Sequence, residues 1–259
     1  GVKHYLVDEL LPQEEFHIVK FQQMAKAAME EIYAKGKVPI LVGGTGFYIQ
    51  AVTKDIDFTQ AEQEDGYRQE LEQLAAEKGN EYLHQMLQKV DPVSAEEIHA
   101  NNVKRVIRAL EFYHQNHSPI SAHNQEQKEH ETPYELAYFV LNVPRDILYR
   151  RIDDRIDEML RDGLLEEVRR LQDMGYHRGM VSMQGLGYKE ILAYLDDEYP
   201  LEEAVRILKR DTRHFAKRQL TWFRREKDTI WINKDEFDYN EDKILDKMLE
   251  ICRIKKISV

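Results

Sequence analysis

Cysteine is nearly absent: 259 residues carry one, Cys252. A single thiol excludes an intrachain disulfide framework and a cysteine-built zinc site, and it suits a reducing cytoplasm. No apolar run reaches the length that a bilayer span needs, and no signal peptide opens the chain. None of the ten histidines stands in an HExxH or similar ligand spacing, and no Ser-His-Asp or Cys-His arrangement stands out. GxxxxGK[ST] is missing as well, because "KGKV" has the Gly-Lys pair but neither the first glycine nor the hydroxyl residue. There is no internal repeat and no low-complexity stretch. The first residue is Gly1, and "GVKHYLVDELLP" reads like the middle of a domain, with a short strand around His4 to Val7. An earlier start of the natural polypeptide is expected.

What is present is a soluble, globular composition of 33% charged and 42% apolar residues, enough for one large domain or two small ones. The formal net charge of −11 argues against indiscriminate nucleic-acid binding, so a phosphate-rich partner must be met by a local patch. One such patch exists. From Arg206 to Lys227 nine Lys or Arg face two acids, a local charge of +7. Wound as a helix, Arg206, Arg210, Arg213, Lys217 and Arg224 fall within about 60° of arc, with Leu208, Thr212, Phe215, Gln219 and Trp222 opposite. This pattern predicts a helix fixed to a core by one face while the other offers cations to an anion.

The chain organisation predicts an α/β protein with an all-helical insertion. A helix is expected from Ile18 to Ala34, stopped by Gly36, followed by a buried strand Val38–Val42, the turn "GGTG" and a helix starting near Phe47. From about Asp55 to Glu131 strands vanish and helical periods appear in "YRQELEQLAAEKG", "NEYLHQMLQKVDP" and "NNVKRVIRALEFYHQ". "ELAYFVLNVP" returns as a strand, and one long helix is expected over "RDILYRRIDDRIDEMLRDGLLEEVRRLQDMG". The turn "SMQGLGYKEI" leads to two more helices, the second being the basic one. "DTIWIN" supplies a last strand, and a terminal helix follows from about Asp242. The expected boundaries are 1–54 for a first core part, incomplete at its start, 55–131 for the insertion and 132–259 for a second core part.

Four stretches could carry chemistry, and each has a structural alternative. In "LVGGTGFY" a glycine turn between strand and helix sets free N–H groups beside a helix N-terminus, with the Thr45 hydroxyl next to them. Alternatively, Gly43, Gly44 and Gly46 only satisfy unusual backbone angles. Lys104, Arg105 and Arg108 lie opposite Val103, Val106, Ile107 and Leu110, as phosphate contacts or as solvated cations partnered by neighbours such as Glu111. Arg151 and Arg155, one turn apart, suit a bidentate phosphate clamp or an i,i+4 ladder with Asp154 and Glu158. The segment Gln184, Gly185, Leu186, Gly187, Tyr188 and Lys189 allows close approach by a flat or polar ligand, or simply turns the chain.

The segments "HYLVD", "LVGGTGFYI", "VDP", "IHANNVKRVIRALE", "RIDDRIDEMLRDGLLEEV", "QGLGYKE" and "AKRQLTWFR" follow one another in this order over nearly the whole chain. In that order they resemble the bacterial tRNA dimethylallyltransferases, also called tRNA isopentenyltransferases. The resemblance implies a P-loop NTPase-like parallel-sheet core flanked by helices, with the all-helical insertion touching the anticodon stem. It implies transfer of a dimethylallyl group from dimethylallyl diphosphate to the exocyclic amine of the adenosine 3′ to the anticodon. Thr45 then corresponds to a contact to the target nucleotide, and Arg68 to a tRNA contact. The run Lys104, Arg105, Val106, Ile107 and Arg108 matches a tRNA-touching segment, as does Gln184 to Lys189. Arg155 matches an arginine that assists at the diphosphate, and Arg213, Lys217 and Arg218 line a channel between diphosphate and RNA. The family's P-loop, its magnesium-binding hydroxyl and the aspartate thought to act as general base match no residue of this sequence and are placed before Gly1. Mg²⁺ is thus expected as cofactor with its ligand outside this span, and the span alone is expected to be inactive. "HANN" departs from a Pro-Asn-Asp run found in many relatives. The implied protein is cytoplasmic and monomeric, without membrane contact.

An adenine exocyclic amine is a weak nucleophile, and the departing diphosphate gathers negative charge, so preorganised cations are what the reaction needs most. The target base must also leave the anticodon stack, which a single-stranded loop permits at low cost. Rivals on the same fold are an adenylate isopentenyltransferase or a small-metabolite kinase, and for this span a non-catalytic RNA-binding fragment.

Overall fold

The computed structural model describes residues 1–58, 65–129 and 131–257. Residues 59–64 and 130, within the segment expected to be all-helical, and 258–259 at the end lie outside the described residues. The chain divides into two compact units, Gly1–Thr53 with Tyr134–Val259, and Lys54–Pro133.

In the first unit, α1 (Ile18–Ala34) and α2 (Gly46–Thr53) precede the excursion into the second unit. The chain then forms β1 (Tyr138–Asn142), α8 (Arg145–Arg161), α9 (Leu164–Asp173), α10 (Tyr188–Leu195), α11 (Leu201–Phe223), β2 (Thr229–Asn233) and α12 (Glu241–Ile254). The sheet is a parallel pair, with Tyr138 opposite Thr229 and Asn142 opposite Asn233. Alternation along the strands turns Val140 toward Ile49 of α2 and Phe223 at the end of α11, with Tyr138, Trp222 and Trp231 packed around them. A second core joins Ile156 of α8, Leu164 and Val168 of α9, Ile191 and Leu192 of α10, and Leu208 of α11. Gln22 of α1 donates to the carbonyl of Ala51 at 2.7 Å, and Phe21 stacks on Tyr48, which fastens α1 to α2.

Two expected strands are absent. Around His4 to Val7 the chain bends, with Leu6 and Asp8 at φ of 60° and 56°, a left-handed conformation that an extended strand does not contain. Val38–Val42 forms no strand either. Ile40 is 80% and Val42 88% exposed, since no ladder partner lies beside them among the described residues. The long helix expected over 145–175 is two helices. Gly163, at φ 104°, ends the run of α8 and lets Leu164 restart at a new angle against the same core.

The second unit is helical: α3 (Asp65–Lys78), α4 (Asn80–Val90), α5 (Pro92–Glu97), α6 (Val103–Asn116) and α7 (Ile120–Glu129). Leu71, Leu83, Leu87, Val106, Ile107 and Leu110 form its core at helical spacing. Asp91 is its polar fastening. Fully buried, it caps α5 through the Ser94 N–H at 3.0 Å and accepts the Ser94 hydroxyl at 2.7 Å. It also takes the Ser121 N–H at 3.0 Å and the Ser121 hydroxyl at 2.6 Å, tying α7 to the same carboxylate. Burial pushes its pKa up, but the hydrogen bonds from Ser121 and Ser94 outweigh this and leave it below the ordinary aspartate value. Its stabilisation is therefore present above that ordinary value and is lost as pH falls through the lowered one. Asp91→Ala strands two serines and an N-cap, and urea denaturation followed by circular dichroism should show a loss of about 2–3 kcal/mol.

Candidate active site

The "GGTG" turn is built against α11. Gly43, Gly44 and Gly46 are not at positive φ, so backbone angles do not explain them. Close approach does for Gly44 and Gly46, whereas a Cβ on Gly43 would meet nothing within 4 Å. A Cβ on Gly46 would sit 2.1 Å from the Trp222 ring, and one on Gly44 would sit 2.0 Å from Nε2 of Gln219. That Nε2 donates to the Gly44 carbonyl at 2.8 Å. Between the two glycines, the Thr45 carbonyl accepts the Tyr48 and Ile49 N–H groups and starts α2. The Thr45 side chain is exposed and has no partner among the described residues.

Helix α11 is electrostatically divided. In its first part the cations are paired: Arg206 with Glu203, Lys209 with Asp157 at 2.6 Å, Arg210 with Asp211 at 2.8 Å, and Arg213 with Asp153. Two of these pairs cross to α8 one turn apart and set the two helices antiparallel. Beyond Arg213 the pairing stops. Lys217, Arg218, Arg224 and Arg225 make no ion pair among the described residues, and Arg218 lies over the Phe215 ring. His214, Lys217, Arg218, Thr221, Trp222 and Arg225 line a cavity of about 360 Å³. The expected apolar back is thus corrected at Phe215, which is 37% exposed under its guanidinium, while Ala204, Leu208, Ala216 and Phe223 are the buried residues.

Arg155 lines a different cavity, of about 380 Å³, with Arg151, Ile152, Met159, Leu186 and Thr212. Its guanidinium pairs with Glu158 at 2.6 Å, and Arg151 lies over the Tyr239 ring. The structure therefore brings Arg155 to Leu186 and to α11, but Thr45 lines neither cavity. The Thr45 corner and Arg155 meet α11 roughly 10–15 Å apart along its axis. In the turn before α10, Gln184 donates to the Arg178 carbonyl and Gly185 is exposed. Gly187, at φ 101°, gives its N–H to Glu190 at 2.9 Å, and Lys189 is paired with Glu190. Tyr188 donates to Glu167; that hydrogen bond, with burial, pushes its pKa up to about 12.

In the second unit Lys104, Arg105 and Arg108 are exposed on α6 without ion pairs among the described residues. Val106 and Ile107, expected beside them as RNA contacts, are 0% and 2% exposed and belong to the core, so their side chains cannot meet a ligand. Glu111 is the partner of Arg68, at 3.1 Å, rather than of these cations. Among the described residues no group of three or more His, Cys, Asp or Glu is placed to hold a metal ion. No described helix is long and apolar enough to cross a membrane.

Gln219, Trp222, Asp153, Asp157 and Glu190 carried no functional assignment from sequence. The glycines were the available signal for the first two, since a turn without side chains can mark a bulky neighbour.

A small parallel sheet flanked by helices, with a glycine corner seated on a cationic helix, defines a P-loop-like α/β protein. Residues 1–226 match the model of the family described as IPP transferase, and the chain belongs to that family. It is 60% identical over 258 residues to the tRNA dimethylallyltransferase of Lachnoclostridium phytofermentans, covering 99% of this chain and 82% of the relative. A crystal structure of the full-length tRNA isopentenylpyrophosphate transferase of Bacillus halodurans is 37% identical with a TM-score of 0.65, covering 99% of this chain and 82% of that one. A eukaryotic dimethylallyltransferase captured acting on tRNA is 26% identical with a TM-score of 0.78, covering 95% and 64%.

Gly46→Ala drives a methyl into the Trp222 ring and should cost about 1–3 kcal/mol in thermal or urea unfolding. Gly44→Ala should cost less, because the Gln219 amide can swing away. The Tyr188 phenol should titrate near 12 in an ultraviolet pH titration and move toward 10 in Glu167→Gln. Because its folded pKa is raised, the stabilisation is intact below pH 10 and is lost as pH climbs through about 12.

Proposed function

We propose that this protein transfers a dimethylallyl group from dimethylallyl diphosphate to the exocyclic amine of an adenosine in tRNA, 3′ to the anticodon, releasing diphosphate. Two relatives are named tRNA dimethylallyltransferase, which supports the transfer to tRNA. The observation that carries the reading is the unpaired cationic end of α11, gathered around Trp222 beside the Thr45 corner. Among the described residues of this acidic chain no carboxylate neutralises these charges, which suits them to a polyanion.

In this reading Lys217, Arg218 and Arg225 take RNA phosphates near the flipped base. Thr45 offers its unpartnered hydroxyl to the target nucleotide. Arg155, beside Leu186 and Thr212, stabilises charge on the departing diphosphate, where one such contact is worth about 2–4 kcal/mol of barrier. Lys104, Arg105 and Arg108 serve as a second phosphate-binding surface on the helical unit. Arg213 is committed to Asp153 and contributes less to RNA than its place in the stripe suggests.

Binding of an anticodon stem-loop, followed by fluorescence anisotropy across salt concentrations, tests this. Lys217→Glu with Arg218→Glu should weaken binding and reduce the salt slope by about 0.7–0.9 for each phosphate that is no longer neutralised. Arg213→Ala should leave the slope nearly unchanged. An unchanged slope in the double reversal would overturn the RNA reading, and displacement of the loop by equimolar AMP would favour an adenylate acceptor.

A further inference from the structure

We infer that Gln219 is a positioning residue for Thr45: its side-chain amide, by holding the Gly44 carbonyl, fixes where the threonine hydroxyl is presented. This rests on the proposed role of Thr45 at the target nucleotide. The corner is held from both flanks. On one side Gln219 Nε2 donates to Gly44 at 2.8 Å. On the other, Gly46 lies so close to Trp222 that no larger residue fits without movement. Trp222 supplies a wall only, because its indole Nε1 is buried and finds no hydrogen-bond partner among the described residues. The one polar link between the corner and α11 among the described hydrogen bonds is therefore the Gln219 amide.

Geometry adds a reason for this link to matter. Gln219 is on the same helix as Lys217 and Arg218, within one turn of each, and Arg225 follows in the turn just past the helix end at Phe223. Fixing Gly44 to that helix makes the Thr45 hydroxyl and the phosphate-binding cations one constellation, so an RNA held by the cations meets the hydroxyl at a set distance. The Thr45 side chain is exposed and has no partner among the described residues, so its position follows from that of its two neighbours in the chain.

The test uses Thr45→Ala, Gln219→Ala, Gln219→Glu and the double variant Thr45→Ala/Gln219→Ala. Stem-loop affinity and amide hydrogen exchange of residues 43–47 are measured for each. Thr45→Ala and Gln219→Ala should each weaken binding up to about tenfold, and the double variant no more than either alone. Gln219→Glu should be as damaging as Gln219→Ala, because an ionised carboxylate fills the same volume but cannot donate to a carbonyl. Exchange at 43–47 should quicken in both Gln219 variants and not in Thr45→Ala. Additive losses in the double variant, wild-type behaviour of Gln219→Glu or unaltered exchange at the corner would each overturn the inference. Absence of stem-loop binding by the unmodified chain would instead overturn the proposed function, and exchange alone would then decide whether Gln219 holds the corner.

Discussion

The contact between a glycine-rich turn and one helix organises the first unit. Gly44 and Gly46 let the backbone reach α11 to within the space of a single Cβ, and Gln219 and Trp222 occupy that space. The start of α2 is set there, and through Ile49 so is the packing of α2 on β1 and on Phe223. A turn with ordinary side chains would push α2 off the helix and open the small core beneath it, since packed interiors yield little to added volume.

The same helix separates two uses of positive charge. Where α11 faces α8, Asp153 and Asp157 receive Arg213 and Lys209, and the charge goes into fixing one helix against another. Past that contact no acid answers Lys217, Arg218, Arg224 or Arg225 among the described residues. These pairs are half-buried, and spaced one turn apart they set the register of α11 against α8. The unpaired end is what a phosphate-rich ligand can use. Lys104, Arg105 and Arg108 present the corresponding feature on the helical unit, whose own fold depends on apolar packing and on the four hydrogen bonds at Asp91.

Many of the helices and both strands were legible in the sequence because they follow from local periodicity. Ile18–Ala34 was fixed by its apolar spacing and Gly36, and "YFVLN" and "TIWIN" by short apolar runs between turns. Val38–Val42 failed for the complementary reason. Apolarity describes what a strand would bury, but a strand exists only where neighbouring backbone groups accept its hydrogen bonds. Gly163 lay inside an unbroken apolar period, and a period alone does not reveal a residue at φ 104°.

By itself the sequence determined which residue types were available: a helix with clustered cations, a glycine corner carrying a hydroxyl, and a set of motifs in an order that one family shares. Tertiary structure decided which of those groups remain free. Arg213 and Lys217 are alike in the helical stripe, yet Asp153, sixty residues earlier in sequence, neutralises one and not the other. Val106 and Arg108 are neighbours in one motif, yet packing buries the first and exposes the second. Charge pairing and burial are set by contacts between segments remote in the chain, which local propensity does not encode.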